Sequence, residues 1–535
     1  MEFFVDNSSE HLDLSFILDK IKVHTPYGLK KKKEMGVYHL RDIKALNAHY
    51  DLLDELLCKV SKRPVLFKKI RQVFAHFKTL DLTLDRLKQG EVLSVTELFE
   101  IKSFTWHVHQ LLDLLKEEAT YGLQPMPAIM SLLDPEGLNM PSFYIYDAYS
   151  QDLKDIRDAI KQLDFDLSSM KLDQKKALEV KYKISIRPNR EITLSKEDLD
   201  LCERLDKEEE IVYVSETWMH RTYKVKSHSA LLEKENSMED LKRQASDEEY
   251  RVLQEISKEL AGQVIHLKGN MLAIGHLDLL LGQVYFIKAY NLCRPEIIED
   301  NEVIIQEGVH LKTAQRLGEL SKAFVPISLH LKEGVTCITG ANMGGKTIGL
   351  QLLGQMITMA QHGLYVPCRS FQFKPQAFCF IASQDGQTID RGLSTFGAEM
   401  VAISKGISRA DEGGLILMDE LARGTNPKEG FAISKAIINH LKTKASITVL
   451  TTHLDGLADE KDILHLQVRG LKDVNFEDLE INWEHNLHEY MDYRLQRVDR
   501  PEEVPKDAIK IAKIMGLESS ILDDANKIVE DKEAK

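Results

Sequence analysis

The chain has 535 residues, of which 43% are hydrophobic and 29% are charged. This length allows about two to four domains, and the composition is that of a soluble globular protein. The net charge of −14 excludes a global basic field that would attract nucleic acid, so any contact with DNA must come from local patches.

Residues 1–176 are predicted to form a helical core and an outgoing helical lever. Apolar residues recur there at helical spacing, and stripes of this kind usually pack into a core. The clearest helical stretches are residues 11–23, 41–60, 65–77, 96–117 and 148–168.

The pattern then changes to one that favours strands. At residues 180–187 apolar side chains alternate with polar, mostly basic ones, which predicts a strand with a basic outer face. Further strands are predicted around Ile192 and Leu194, and at residues 211–214 and 222–225. These strands indicate a small β insertion between helices.

This β insertion, residues 177–228, is followed by returning lever helices at residues 229–300. An unbroken helix of that length would span roughly 80 to 90 Å at about 1.5 Å per residue, which suggests a lever with a small sheet at its tip. The alternative is a compact helical domain with a β-hairpin insertion. Residues 196–210 carry eight acidic and three basic residues, which disfavours tight duplex binding there.

A phosphate-binding loop is predicted near the start of the last segment, residues 301–535. A buried strand at 335–339 is followed by the pattern G-x-x-x-x-G-K-[ST], which begins at Gly340. Glycines let the backbone N–H groups ring a phosphate, and the following helix points its positive end at the same place. Lys346 can reach the β- and γ-phosphates, and the Thr347 hydroxyl can ligate Mg²⁺.

Two further strands end in candidate catalytic groups. The apolar strand at 413–418 runs into Asp419, a candidate Mg²⁺ ligand, and Glu420, which can polarise the attacking water. The strand at 447–451 leads to His453, which can sense the γ-phosphate, although a lone histidine is more often structural. Strands alternating with helices predict a parallel α/β sheet with its ligand at the carboxyl edge.

These motifs resemble those of the MutS family of DNA mismatch-repair ATPases. TGANMGGKT is similar to the family's phosphate loop, LSTFGAEM to its signature motif, LILMDELARGT to its Walker B and D-loop, and TTH to its histidine switch. EGVH and FVP are similar to the segments that enter its ATPase domain. The segment at about 505–532 resembles its closing helix-turn-helix, which dimerises the ATPases.

The resemblance implies a fold and a set of roles. The fold is multidomain, with a helical core and lever, a small β clamp and an ABC-type P-loop ATPase domain that uses ATP and Mg²⁺. ATP binding is implied for Phe324, which would stack on adenine, and for Gly340, Asn342, Gly344, Gly345, Lys346, Thr347 and Gln387. Catalysis is implied for Lys346, Glu420 and His453, and Mg²⁺ binding for Thr347 and Asp419.

Other implied roles concern partners. Ser394, with Thr395, would reach the nucleotide of a second subunit, although Ser394 could also be a helix N-cap. Arg423 and Thr425 would lie in the D-loop between subunits. The candidate DNA contacts are the basic residues of the β clamp, Lys181, Lys183, Arg187 and Arg190.

The sequence also departs from full mismatch-repair proteins. No F-x-E motif occurs in the first half, and we expect a truncated form without the mismatch-binding, connector and Smr domains. Residues 385–389 and 425–430 look closer to the second, Smr-bearing branch of the family.

Three functions compete at this stage. The first is a homodimeric clamp that closes on double-stranded or branched DNA in response to ATP. The second is an ATP-driven factor that remodels or reactivates a protein partner, such as a cobalamin-dependent aminomutase. The third is a structural dimer whose nucleotide only stabilises the fold, because a fold does not by itself specify what the ATPase acts on.

The predicted compartment is the cytoplasm. The six cysteines are scattered without a CxxC pair or a zinc-binding spacing, so they are expected to be reduced thiols. No signal-peptide pattern occurs at the N-terminus and no unbroken apolar run of about 18 residues is found, so no membrane partner is expected.

Overall fold

The computed structural model describes residues 2–5, 8–140, 142–340, 345–382, 395–421, 425–454, 456–458, 461–471, 491–498, 509, 512 and 517–533. The chain divides into two compact units. The first unit contains residues 1–71 and 275–535, and the second contains residues 72–274.

The chain begins with five helices. They are α1 Ser8–His11, α2 Leu14–Lys20, α3 Pro26–Lys33, α4 Ile43–Lys62 and α5 Pro64–Phe74. In α4 the apolar stripe predicted from the sequence is buried, including Leu46, Leu53 and Leu56, none of which is exposed. This confirms that the periodic stretches at 41–60 and 65–77 are core-forming helices.

The second unit is mainly helical. Its helices are α6 Asp81–Lys88, α7 Val95–Leu114, α8 Pro127–Leu133, α9 Gln151–Tyr182, α10 Leu199–Asp206 and α11 Ser229–Ala261. Helix α12, Val264–Tyr290, begins in this unit and ends in the first. The returning helical stretch is therefore broken, because Gly262 caps α11 and α12 starts two residues later.

A three-stranded antiparallel sheet lies between α9 and α11 in the chain. Its strands are β1 Glu191–Ser195, β2 Ile211–Glu216 and β3 His220–Val225, in the order β1-β3-β2. The strands predicted around Ile192 and Leu194, at 211–214 and at 222–225 are thus confirmed. The acidic stretch at 196–210 contains α10, which buries Cys202 and Leu205 against this sheet.

The strand predicted at residues 180–187 is wrong. Helix α9 continues to Tyr182 and ends at Lys183, which has a left-handed backbone with φ of 54°. The alternation misled because Leu178 and Tyr182, four residues apart on one helix face, both pack into the core of the small sheet. Lys181 and Lys183 therefore do not share the face of a strand.

The remaining elements build the nucleotide part of the first unit. The strands are β4 Glu296–Ile297, β5 Glu302–Gly308, β6 Ile327–Lys332, β7 Gly334–Thr339, β8 Ser370–Phe373, β9 Cys379–Ala382, β10 Leu415–Met418, β11 Ile447–Thr451, β12 Leu464–Leu471 and β13 Met491–Arg497. The helices are α13 Leu311–Glu319, α14 Lys346–Gln361, α15 Thr395–Ile407, α16 Pro427–Leu441 and α17 Ser519–Glu533.

These strands form two sheets. The larger has the order β13-β12-β7-β11-β10-β9, and its neighbours are parallel except for the antiparallel pair β12–β13. The smaller has the order β4-β8-β5-β6. The predicted parallel α/β sheet is confirmed, and β7, β10 and β11 are buried along their whole length, as expected of strands covered on both faces.

The N-terminal residues extend the larger sheet at its β9 edge. Phe4 forms a parallel bridge with Cys379, whose N–H donates to the Phe3 carbonyl at 2.8 Å. Ser8 continues the contact, because its hydroxyl accepts the Ile381 N–H at 3.1 Å. The first residues of the chain therefore belong to the nucleotide part, which the sequence did not predict.

One helix among the described residues, α12, is long and apolar enough to cross a membrane. However, 83% of its apolar window is buried inside the protein, as is usual for a core helix.

Candidate nucleotide-binding site

Three neighbouring parallel strands deliver the predicted site residues to one edge of the sheet. The order β7-β11-β10 places the carboxyl ends of these strands side by side. The phosphate loop follows β7, His453 follows β11, and Asp419 and Glu420 follow β10. The residues that follow these three strands in the sequence therefore meet at one edge of the sheet, as the pattern of strand ends predicted.

Lys346 is the first residue of α14, and its side chain is almost fully buried, with 6% exposed. Its Nζ donates to the Gly340 carbonyl at 2.7 Å and lies 3.1 Å from His453 Nε2. Gly340 and Gly345 have φ of 133° and 82°, a left-handed region that favours glycine. The glycines on either side of residues 341–344 thus adopt turn conformations, and the ammonium group lies against the Gly340 carbonyl.

Thr347 and Asp419 are in direct contact. The Thr347 hydroxyl donates to Asp419 Oδ2 at 2.8 Å, and the Thr451 hydroxyl donates to Asp419 Oδ1 at 2.6 Å. Hydroxyl and carboxylate oxygens are the donors that Mg²⁺ prefers, and Mg²⁺ often takes one or two protein ligands with waters and phosphates completing its shell. The pair brought together by β7 and β10 therefore fits a nucleotide-bound Mg²⁺.

Glu420 is held in an unusual backbone conformation. Its φ is 52°, and its N–H donates to the Thr451 hydroxyl at 2.9 Å. A left-handed backbone at a non-glycine residue costs about 1–3 kcal/mol and persists where the surroundings enforce it, often at functional sites. Thr451 thus contacts both adjacent carboxylate residues and fixes the turn that presents them.

His453 lies between Lys346 and Glu420. Its Nε2 lies 2.6 Å from Glu420 Oε1, and the same nitrogen faces Lys346 Nζ. A single ring nitrogen either donates a proton to the carboxylate or accepts one from the ammonium group, but not both at once. His453 therefore lies in contact with both Lys346 and Glu420, and a γ-phosphate-sensing role for it stays a prediction.

The N-terminal segment packs against α14, the helix that begins with Lys346, and the sequence did not predict this contact. Leu12 packs so closely on Gly354 of α14 that a Cβ added at Gly354 would lie 2.4 Å from Leu12 Cδ2. Leu417 of β10 would lie 3.0 Å from the same Cβ. The apolar run Phe3–Phe4–Val5 indicates in the sequence that the N-terminal segment is buried. Nothing near it in the sequence identifies β9 as the strand that it contacts.

The other predicted nucleotide and interface residues are less completely described. Phe324 is partly exposed in the connection between α13 and β6, Thr395 begins α15, and Thr425 lies 3.5 Å from Glu429 through its hydroxyl. The predictions for Asn342, Gly344, Gln387, Ser394 and Arg423 lie outside the described residues, as does much of the predicted dimerisation segment.

Two of the four candidate DNA contacts are engaged within their own unit. Lys181 Nζ donates to Glu208 at 2.5 Å. Arg190 donates to Gln174 at 2.5 Å and to the Lys226 carbonyl at 3.1 Å. Lys183 and Arg187 are exposed.

The parallel sheet, the glycine-rich turn after β7 and the carboxylates after β10 define a nucleotide-binding domain of the P-loop class. A family model described as MutS domain V matches residues 336–533. This segment contains the described site residues Lys346, Thr347, Asp419, Glu420 and His453.

Curated relatives point to the same family. An "Endonuclease MutS2" of Clostridium kluyveri is 36% identical over 234 residues, which are 43% of this chain and 29% of that protein. One of Caldicellulosiruptor saccharolyticus is 30% identical over 380 residues, 69% of this chain and 46% of that protein. A "DNA mismatch repair protein MutS" of Aquifex pyrophilus is 23% identical over 561 residues, 98% of this chain and 60% of that protein.

Residues 336–533 therefore match a MutS ATPase domain, and the chain is similar to MutS-family proteins over part of its length. The family resemblance inferred from the motifs is confirmed. The chain spans only 29% to 60% of the length of the three relatives named above.

Proposed function

We propose that this protein is a MutS-like ATPase whose homodimer binds ATP and Mg²⁺ at shared sites and uses them to close a clamp on double-stranded or branched DNA. The observation that carries the proposal is the contact network of Lys346, Thr347, Asp419, Glu420 and His453 at one sheet edge. Each of these side chains matches a task of phosphoryl transfer.

The proposed chemistry divides among these residues as follows. Lys346 would exchange the Gly340 carbonyl for phosphate oxygens, and Thr347 and Asp419 would hold Mg²⁺, which would supply charge neutralisation at the phosphates. Glu420 orients and polarises the attacking water, and its proton-accepting oxygen is positioned by His453. When Lys346 moves to the phosphates, His453 Nε2 is left to hydrogen-bond Glu420 alone. Nucleotide binding would in this way change how Glu420 is oriented.

Hydrolysis is tested by phosphate release from the full chain with ATP and Mg²⁺. Lys346→Ala is expected to abolish nucleotide binding and turnover, because no other described cation lies in the loop. Glu420→Gln is expected to keep nucleotide binding and lose turnover. Lys44→Ala and Glu333→Gln, both at exposed positions, are the matched controls. Turnover that survives in Glu420→Gln would refute this assignment of the base.

The shared site is tested by mixing two inactive variants. Ser394→Ala leaves Lys346 intact and Lys346→Ala leaves Ser394 intact, so a mixed dimer contains one complete site if Ser394 acts on the partner's nucleotide. Random mixing is then expected to restore about a quarter of wild-type turnover. No restoration, or a chain that stays monomeric with ATP present, would refute the shared site.

DNA is tested as the activator of turnover. Support for DNA comes from the similarity to MutS-family proteins and from the exposed Lys183 and Arg187 near the small sheet. Duplex, branched and mismatched DNA are compared across a salt series, since phosphate contacts make binding steeply salt-dependent. If none of them binds at low salt or changes turnover, DNA is not the substrate. The alternative function, remodelling of a protein partner, would then be tested.

A further inference from the structure

Two cysteines of the first unit lie side by side although they are far apart in the sequence. Cys293, just after α12, forms an antiparallel bridge with Val366, with N···O distances of 2.7 and 2.9 Å. The Cys368 N–H donates to the Val366 carbonyl at 3.0 Å, so Cys368 lies two residues along the chain from the bridge partner of Cys293.

Both strands that carry the pair are anchored. On one side, the Arg369 N–H donates to the Gln306 carbonyl at 2.9 Å. On the other side, Arg294 pairs with Asp51 at 2.7 Å and Asp54 at 2.5 Å. Both cysteines are partly exposed, so a small oxidant can reach both thiols.

We propose that Cys293 and Cys368 form a reversible disulfide when the protein meets a hydroperoxide. The bond would close a loop that contains β5, β6, β7, the phosphate-binding turn and α14. It would therefore tie the end of the long helix α12 to the strand that follows α14, and enclose the nucleotide-binding segment between them.

The chemistry assigns different roles to the two thiols. The hydrogen bond from Cys368 lowers the pKa of Cys293 to about 7, while burial opposes this, so a large fraction of Cys293 is thiolate near neutral pH. The same hydrogen bond, together with burial, raises the pKa of Cys368, which stays protonated. Cys293 is thus the attacking sulfur and Cys368 the resolving one.

The reaction balances in two steps. The Cys293 thiolate attacks the peroxide and breaks the O–O bond, which gives a sulfenic acid and, after protonation, water. The Cys368 sulfur then attacks the sulfenic sulfur, its proton joins the departing hydroxyl, and a second water leaves as the S–S bond forms. The two cysteines lose two electrons in total, and the peroxide gains them.

The other cysteines are poor competitors. Cys202, Cys337 and Cys379 are buried, and burial raises the pKa of Cys337 and of Cys379 to about 12. Cys58 is exposed on α4. It provides the matched control, because its replacement removes an accessible thiol without touching the pair.

The experiment treats the full-length protein with hydrogen peroxide, then alkylates it and maps its peptides by mass spectrometry. The expected product is one cross-linked peptide containing Cys293 and Cys368, with a mass lower by two hydrogens, that dithiothreitol reverses. Cys58→Ser is expected to behave as wild type. Cys368→Ser is expected to trap Cys293 as a sulfenic acid that dimedone labels.

A second measurement follows the folded protein. Closing a long loop restricts the unfolded chain, so oxidation is expected to raise the thermal unfolding midpoint by a few degrees in wild type and in Cys58→Ser. Cys293→Ser and Cys368→Ser should show no shift. Separate alkylation of both thiols after peroxide treatment, or a cross-link through Cys58 instead, overturns the proposal.

Discussion

The two compact units hold their charged side chains in different ways. In the first unit, Lys346 is buried at the sheet edge, and both oxygens of Asp419 accept hydrogen bonds from threonine hydroxyls. In the second unit, Lys181 of α9 and Arg221 of β3 form ion pairs that remain partly open to solvent. Side chains held by several hydrogen bonds are fixed in position for chemistry, whereas exposed pairs exchange partners at little cost.

The strongest way to test this comparison is Asp419→Asn. The amide keeps one acceptor for a threonine hydroxyl but loses the negative charge that Mg²⁺ requires, so ATP turnover is expected to fall by about a thousandfold, or ~4 kcal/mol. Phosphate release measured across a Mg²⁺ titration checks this. Asp411→Asn, at an exposed ion pair with Lys444, is the control. Full turnover of Asp419→Asn at saturating Mg²⁺ would contradict the assignment.

A buried ion pair in the second unit sharpens the comparison. If burial decides how much stability a charged pair contributes, its loss should be costly in this unit too. Lys102 is fully buried and donates to Asp134 at 3.0 Å and to the Tyr146 hydroxyl at 2.9 Å. Lys102→Met leaves the carboxylate uncompensated and is expected to cost about 3–5 kcal/mol in the free energy of unfolding. Denaturant unfolding checks this.

The exposed Lys154→Met should cost nothing measurable in the same denaturant assay. A Lys102→Met, Asp134→Leu double variant should recover part of the loss, since no buried charge is left without a partner. A single variant as stable as wild type would show that burial does not decide the effect.

Packing behind the nucleotide site gives a smaller expected effect. In Gly354→Ala the new methyl group would meet Leu12 and Leu417, so we expect a loss of about 1–3 kcal/mol in stability. Thermal unfolding of the full chain measures this loss. In a Leu12→Ala background, which makes room for the methyl group, Gly354→Ala should cost less stability than in the wild type. Gly349→Ala on the same helix, where a Cβ meets nothing, is the control. Equal effects at the two glycines would mean that Leu12 does not press on α14.

The smallest effect is expected at the exposed pair Lys181 and Glu208. The hydrogen bond from Lys181 lowers the pKa of Glu208, so its stabilisation is present at neutral pH and is lost as the pH falls below about 4. Lys181→Ala should leave the thermal midpoint at pH 7 nearly unchanged and slightly weaken its dependence on acid. A large drop of the thermal midpoint at pH 7 would show that this pair contributes as much stability as a buried one.

Local patterns were enough to predict which residues meet at one edge of the sheet. Asp419 and His453 come within two residues of the end of an apolar strand, and Lys346 follows the glycine-rich turn after another, so their side chains meet where these parallel strands lie side by side. The contacts of Thr451 with both Asp419 and Glu420 could not be predicted, because they depend on the register of β10 against β11.

Predictions failed where distant partners decide the structure. The alternation at residues 180–187 fits a strand by itself, and only packing of Tyr182 on a core formed later in the chain keeps it helical. The pairings of Phe4 with Cys379 and of Cys293 with Val366 are likewise set by topology, which short-range periodicity does not contain.

The bridge between Phe4 and Cys379 has a consequence for biosynthesis. The ribosome releases Phe3, Phe4 and Val5 long before β9, so these apolar residues stay unpaired while most of the polypeptide is made. The second unit, residues 72–274, is complete by then and can fold first. Maturation of the ATPase part therefore waits for a late, long-range closure, and chaperones have an exposed hydrophobic leader to hold in the meantime.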